Sequence, residues 1–187
     1  FYEPYQREWQ NGNSRFDLID VVRLCAAIRP EGINWPKDED GKPIFKLEAL
    51  TAANNIEQQG AHDALVDVRA TISVAKLIKE AQPKLWQYAL TMRDKQQVTH
   101  ALNLSAGKPV LHISGMFGNE NYCLSAVLPL CPHPTNKNQV LCFDLRHNPD
   151  DFIQLSIDEI SERVFTSQKD LGNKQRIALK GVHINKC

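Results

Sequence analysis

Near Gly107 the spacing of apolar residues changes, and this change constrains the fold more than any other feature of the chain. Before it, apolar residues recur at intervals of three and four, as in helices that bury one face. After it they alternate, as in strands. The chain is therefore expected to be α+β, with helices first and a strand-rich part last. The longest helical stretch is residues 61–81, AHDALVDVRATISVAKLIKEA, whose stripe of Leu65, Val68, Ile72, Ala75 and Ile78 is expected to be buried. PVLHIS, YCLSAVLPL and QVLCFDLR read as strands, separated by SGMFGNEN and PHPTNKN, and RIALKGVHI reads as the last. A helix over residues 156–165 interrupts them, capped by Ser156 and carrying Asp158 and Glu159 in its first turn. Short strands broken by turns and one helix predict a small, partly open barrel.

The earlier helices have readable ends. Ser14 or Asp17 caps a helix reaching Ile28, with Leu18, Val21, Val22, Cys25 and Ile28 inward. Arg29-Pro30 stops it, because proline disfavours helix in the residue before it. Residues 33–44, with two prolines and a charge cluster, read as an exposed connector. Residues 45–54 read as a short helix with Leu47, Leu50 and Ala53 inward. Pro83 suits the first position of a further helix, and the pattern carries it to about Leu102.

Two stretches carry chemistry. Asp63 is a natural cap for the long helix, which leaves His62 on the preceding loop and Asp67 in the first full turn. A mobile imidazole beside a carboxylate on a rigid element can activate water at a metal. The competing reading makes Asp63 only a cap and Asp67 a solvated charge. At the other end, Tyr2, Tyr5 and Trp9 interleave with polar residues in FYEPYQREW. Such aromatics either stack on single-stranded bases or cover a small core.

Composition excludes some classes. Lys plus Arg and Asp plus Glu both number 22, so the whole chain has no basic signature for nucleic acid, although local patches survive a neutral total. No apolar run approaches a membrane span, and no membrane association is expected. The five cysteines (Cys25, Cys123, Cys131, Cys142 and Cys187) are odd in number and lack CxxC spacing, and read as buried thiols in a reduced, cytoplasmic setting. Cys131 and His133 are zinc-ligand types, but two more ligands at suitable spacing are not evident. The chain starts without methionine and ends just after a strand-like run, so it reads as a piece of something longer.

His-Asp-Ala-Leu-Val-Asp followed by an alanine-rich amphipathic helix resembles the third motif of the histidine subclass of DEDD 3′–5′ exonucleases. NSRFDLIDVVRLCAAIRPEGINWP, KLEALTAANNIE, SGMFG and VHINKC more specifically resemble the bacterial exonuclease I family, from Phe1 to Cys187. The resemblance implies that residues 1–82 are the helical C-terminal part of an RNase H-like exonuclease domain. Residues 83–187 would be an SH3-like, partly open β-barrel. It implies hydrolysis at the 3′ end of single-stranded DNA with two Mg2+ ions held by acidic residues, in DNA repair and recombination. Asp67 matches the metal-binding aspartate of the third motif, and His62 the general base. The Asp-x-Glu pair of the first motif is absent. Asn13-Ser14-Arg15-Phe16-Asp17 matches the pattern of the second motif, but the family's order makes this the following helix, with Asp17 a cap unless it is a misread ligand. One carboxylate and an imidazole cannot hold two hard cations, so the chain alone is expected to be inactive.

The same resemblance implies a docking surface for the acidic, hydrophobic C-terminal tail of single-stranded-DNA-binding protein. Arg29, Tyr88 and Lys108 occupy the matching positions, a basic rim beside an aromatic. Trp9, Arg15 and Arg23 are the candidate DNA contacts, with Lys169, Lys174, Arg176 and Lys180 as further basic groups. Scattered surface charge is the competing account of each. A monomer is expected.

Overall fold

The structure, a computed structural model, describes residues 6–8, 10–56 and 64–185. The chain forms two compact units. The first is Phe1–Thr99 with Ile113–Leu124 and Asn185–Cys187; the second is His100–His112 with Ser125–Ile184.

Among the described residues the core of the first unit is built by helices α1 (Leu18–Ile28), α2 (Leu47–Ala53), α3 (Ala64–Ala81) and α4 (Pro83–Thr91). Asp17 caps α1, its carboxylate accepting the Ile19 amide at 3.1 Å. Pro83 opens α4, where its missing N–H costs nothing. Helix α3 packs against each of the other three. Val74 and Ile78 of α3 meet Val21, Val22, Cys25 and Ala26 of α1, Leu50 of α2, and Leu85 and Ala89 of α4 in one core. An edge-to-face pair of Phe16 and Trp86, 5.8 Å between centroids, fastens the approach to α1 onto α4.

The buried face of α3 differs from the expected stripe. Ala70, Val74 and Ile78 are buried, whereas Leu65, Val68 and Ile72 are 53%, 55% and 49% exposed. Two apolar faces exist on this helix, and the three neighbouring helices cover only one. The connector is also more ordered than its composition suggests. Lys37 bridges Pro43 around a turn in which Asp38 accepts the Asp40 and Lys42 amides, while Ile33 and Phe45 are buried at its ends.

The single helix expected from residue 83 to 102 is broken. Helix α5 (Lys95–Leu102) starts afresh because Asp94 accepts the Gln96 amide at 2.6 Å and the Gln97 amide at 3.3 Å. A carboxylate doing this ends one helix and nucleates the next.

The strands are β1 (Val110–Ile113), β2 (Leu124–Pro132), β3 (Gln139–Asp144) and β4 (Leu179–His183). They follow the order β1-β2-β3-β4 and curl into an antiparallel half-barrel, as the alternation predicts. The β2–β3 register shifts between Pro129 and Cys131, a bulge where a strand tolerates proline. In the second unit Val127, Val140, Cys142, Phe143 and Val182 are buried together with Phe152 and Leu171. Two helices lie between β3 and β4: the short α6 (Asp150–Ile153) and α7 (Ile157–Phe165). Ser156 and Glu159 form a complete capping box at the start of α7.

Candidate functional site

Asp67 lies in the exposed first turn of α3, and its carbonyl accepts the Thr71 hydroxyl at 2.8 Å. The positive end of the helix dipole favours a carboxylate there. His62, Asp63 and Trp9 lie outside the described residues. Among the described residues no group of three or more His, Cys, Asp or Glu side chains could hold a metal ion. A pair of hard divalent ions needs several oxygen ligands, so the described residues do not by themselves fit the metals of the resemblance. Cys131 is exposed on β2, unlike the buried Cys25, Cys123 and Cys142. The nearby His133 uses Nδ1 to accept the Thr135 and Asn136 amides.

Of the candidate DNA contacts, Arg15 is exposed just before α1. Arg23 is more enclosed. One terminal nitrogen donates to Asp20 Oδ1 at 2.9 Å, and its buried Nε makes no hydrogen bond. The guanidinium lies against Gly115, where an added Cβ would stand 3.0 Å from it. Cys123 lies close by, and burial raises its thiol pKa while the Arg23 charge pulls the other way. This tie from α1 to the SGMFG segment was not visible in the sequence. Its one trace there is the glycine, which permits the close approach.

The candidate tail-binding residues divide between the units. Arg29 closes α1 through its amide to Cys25 O at 2.8 Å and remains exposed. The chain then turns at Gly32, in left-handed backbone (φ +81°), where an added Cβ would stand 3.3 Å from Ala81 Cβ. Gln82 donates to Glu31 O at 2.8 Å, and the Trp35 indole donates to Pro30 O at 2.8 Å. These bonds fix the Arg29 turn against the α3–α4 junction. Tyr88 is half exposed on α4, which packs directly on α1. A cation and an aromatic ring thus sit on neighbouring rigid elements. Lys108 is exposed and belongs to the second unit.

Two later basic residues have local work. Lys174 pairs with Glu162 at 2.7 Å, and Arg176 donates to Val164 O at 2.7 Å. Lys169 is exposed and Lys180 is partly buried on β4. Lys180 also bears on His112 of β1, whose pKa is lowered to about 4 by burial and by that neighbouring charge.

Comparison with known proteins bears on the whole of this arrangement. Residues 93–187 match the family described as the exonuclease I SH3-like domain. Exodeoxyribonuclease I of Escherichia coli (strain K12) is 48% identical over 187 residues, all of this chain and 39% of that protein. The chain therefore spans well under half the length of that relative. The zinc-ion-bound form of the E. coli exonuclease I–single-stranded DNA complex matches with a TM-score of 0.91 at 47% identity, covering 100% of this chain and 40% of that one. A solved complex of exonuclease I with SSB-Ct matches with a TM-score of 0.90 at 46% identity, with the same coverage. Helices followed by a curled antiparallel sheet, matched in backbone and sequence from end to end, agree with the family match over residues 93–187: this chain belongs to the exonuclease I SH3-like domain family.

Proposed function

We propose that the chain is part of a 3′–5′ exodeoxyribonuclease that releases mononucleotides from single-stranded DNA. The observation that carries this reading is an alignment at 48% identity that covers the whole chain, including the strand-poor half outside the matched SH3-like family. A relative solved with single-stranded DNA shares its backbone. Residues 1–82 are then the C-terminal part of an RNase H-like nuclease domain, and residues 83–187 the SH3-like domain. The reading makes Asp67 a metal ligand and His62 the base that takes a proton from the attacking water. Trp9, Arg15 and Arg23 face the DNA. Two Mg2+ ions are its cofactors, with their remaining ligands supplied by a longer protein. Such a protein works as a cytoplasmic monomer in DNA repair.

The exposed Leu65–Val68–Ile72 face of α3 supports this assignment, because an amphipathic helix with two apolar faces is built to be covered on both. The test is digestion of 3′-labelled single-stranded DNA with magnesium by this chain, by a protein of the relatives' length, and by its His62→Ala and Asp67→Asn variants. Only the long protein should cut, and each substitution should lower its rate by at least about a hundredfold. Cutting by this chain alone, or a silent His62→Ala, overturns the assignment.

A second reading concerns binding rather than chemistry: Arg29, Tyr88 and Lys108 receive the acidic C-terminal tail of single-stranded-DNA-binding protein. The pairing of an exposed Arg29 and Tyr88 on packed helices favours it, as does the relative solved with SSB-Ct. Titration with a tail peptide should show salt-sensitive binding, weakened roughly tenfold or more by Arg29→Ala because a desolvated charge pair is lost. Unchanged affinity in that variant removes this reading and leaves the nuclease assignment intact.

A further inference from the structure

We infer that the turn at residues 114–118 is a base-contacting finger, with Met116 laid against the face of an unpaired nucleobase. The inference rests on the single-stranded DNA reading above and adds to it a contact residue on a segment given no role so far.

Met116 is 77% exposed, yet the segment that carries it is thoroughly fixed. The Ser114 side chain accepts the Met116 amide, and Ser114 O accepts the Phe117 amide at 3.0 Å. The Ser114 amide reaches Cys123 O at 2.8 Å, and the Cys123 amide returns to Gly118 O at 2.9 Å, so the segment is closed at its base. Phe117, the next residue, is buried. Tyr122 and Cys123 both hold left-handed backbone, at φ 53° and 58°, where side chains other than glycine are disfavoured. Two such residues in succession persist only when their surroundings over-determine them, and such strain gathers at functional segments. The Arg23 guanidinium packs against Gly115, where an added Cβ would stand 3.0 Å from it and press it aside.

The result is one exposed apolar side chain on a fixed backbone, between a glycine packed on an arginine and a buried phenylalanine. The backbone needs little further ordering on binding, and the cost is confined to the rotamers of one side chain. A single exposed methionine is too small to anchor a protein interface, but it matches the flat face of one base. Its polarisable sulfur is attracted to aromatic rings, and stacking of this kind tolerates any base, as a nuclease indifferent to sequence requires. Arg15, exposed just before α1, provides positive charge suited to the backbone of the same strand, whereas the Arg23 charge is already paired with Asp20. Leu65, Val68 and Ile72 differ in kind: they form a continuous helix face suited to another element of protein.

The test uses a protein of the relatives' length carrying this chain, without divalent metal so that binding is read rather than cleavage. Wild type, Met116→Ala and Met116→Leu are titrated with labelled oligothymidine, and with a set of the same oligonucleotide bearing one abasic site at each position in turn. Met116→Ala should bind the intact strand about threefold to tenfold more weakly, and Met116→Leu should retain most of the affinity. At one abasic position wild type and Met116→Ala should bind alike, because the base that Met116 covers is missing. The salt dependence should be the same in all three proteins, since no phosphate contact changes. Equal affinity of wild type and Met116→Ala for the intact strand overturns the finger and leaves the nuclease reading standing. A loss that persists at every abasic position also overturns it, by making the residue structural. Failure of the wild-type protein to bind single-stranded DNA overturns both.

Discussion

Asp144 is only 5% exposed and still carries a charge, because Ser125 and Arg146 donate to its carboxylate. Burial by itself would raise its pKa. The Arg146 side chain, the Ser125 hydroxyl and the Arg146 amide outweigh that and hold it at about 2. The guanidinium grips both carboxylate oxygens, at 2.6 Å in its shortest contact, and Ser125 donates at 2.5 Å. A depressed carboxylate pKa stabilises the fold at pH values above the unfolded pKa near 3.8, and the stabilisation fades as pH falls through about 2. Arg146 is 35% exposed, so solvent screens part of the pairing. Asp144→Asn should therefore cost about 2 kcal/mol at neutral pH, with the difference from wild type closing between about pH 4 and pH 2. Urea unfolding across that range checks this. A difference that stays constant with pH would mean that shape, not charge, holds this corner of the sheet.

Among the elements, those set by short-range chemistry were legible and those set by packing partners were not. Asp17, Ser156 and Pro83 each act where a helix start requires a cap or a missing donor, because a cap bonds within three residues of itself. The strands were legible for the same reason: alternation is a property of the strand itself. The break between α4 and α5 was missed because apolar spacing continues across it. Its signal was Asp94, a capping residue two positions before Gln96. The α3 face was misjudged for a deeper reason. Periodicity says that a face is apolar but not which neighbour covers it, and α3 has more apolar surface than its three partners can bury. In the candidate site, helix periodicity and capping were enough to expect Asp67 in the first turn of its helix, while the roles proposed for Asp67, Arg29 and Tyr88 rest on resemblance alone. The Arg23–Gly115 contact joins residues 92 positions apart in the numbering (115 − 23), and no local pattern carries that information.

At the scale of the whole molecule, the two faces of α3 make a prediction that separates this chain from a longer protein. Ile72 is half exposed here, so replacing it removes little buried surface. Ile72→Glu also places a carboxylate four residues before Lys76, a pairing that supports a helix by a few tenths of a kcal/mol. In this chain the substitution should leave the thermal midpoint nearly unchanged. In a protein of the relatives' length, where the rest of the proposed nuclease domain covers that face, it would bury an unpaired charge. The cost there should be at least about 3 kcal/mol, enough to shift the midpoint by many degrees or abolish folding. Thermal melts of both lengths, each with and without the substitution, read the difference directly. Equal effects in the two proteins would mean that the Leu65–Val68–Ile72 face stays open to solvent, and the RNase H-like assignment of residues 1–82 would lose its structural support.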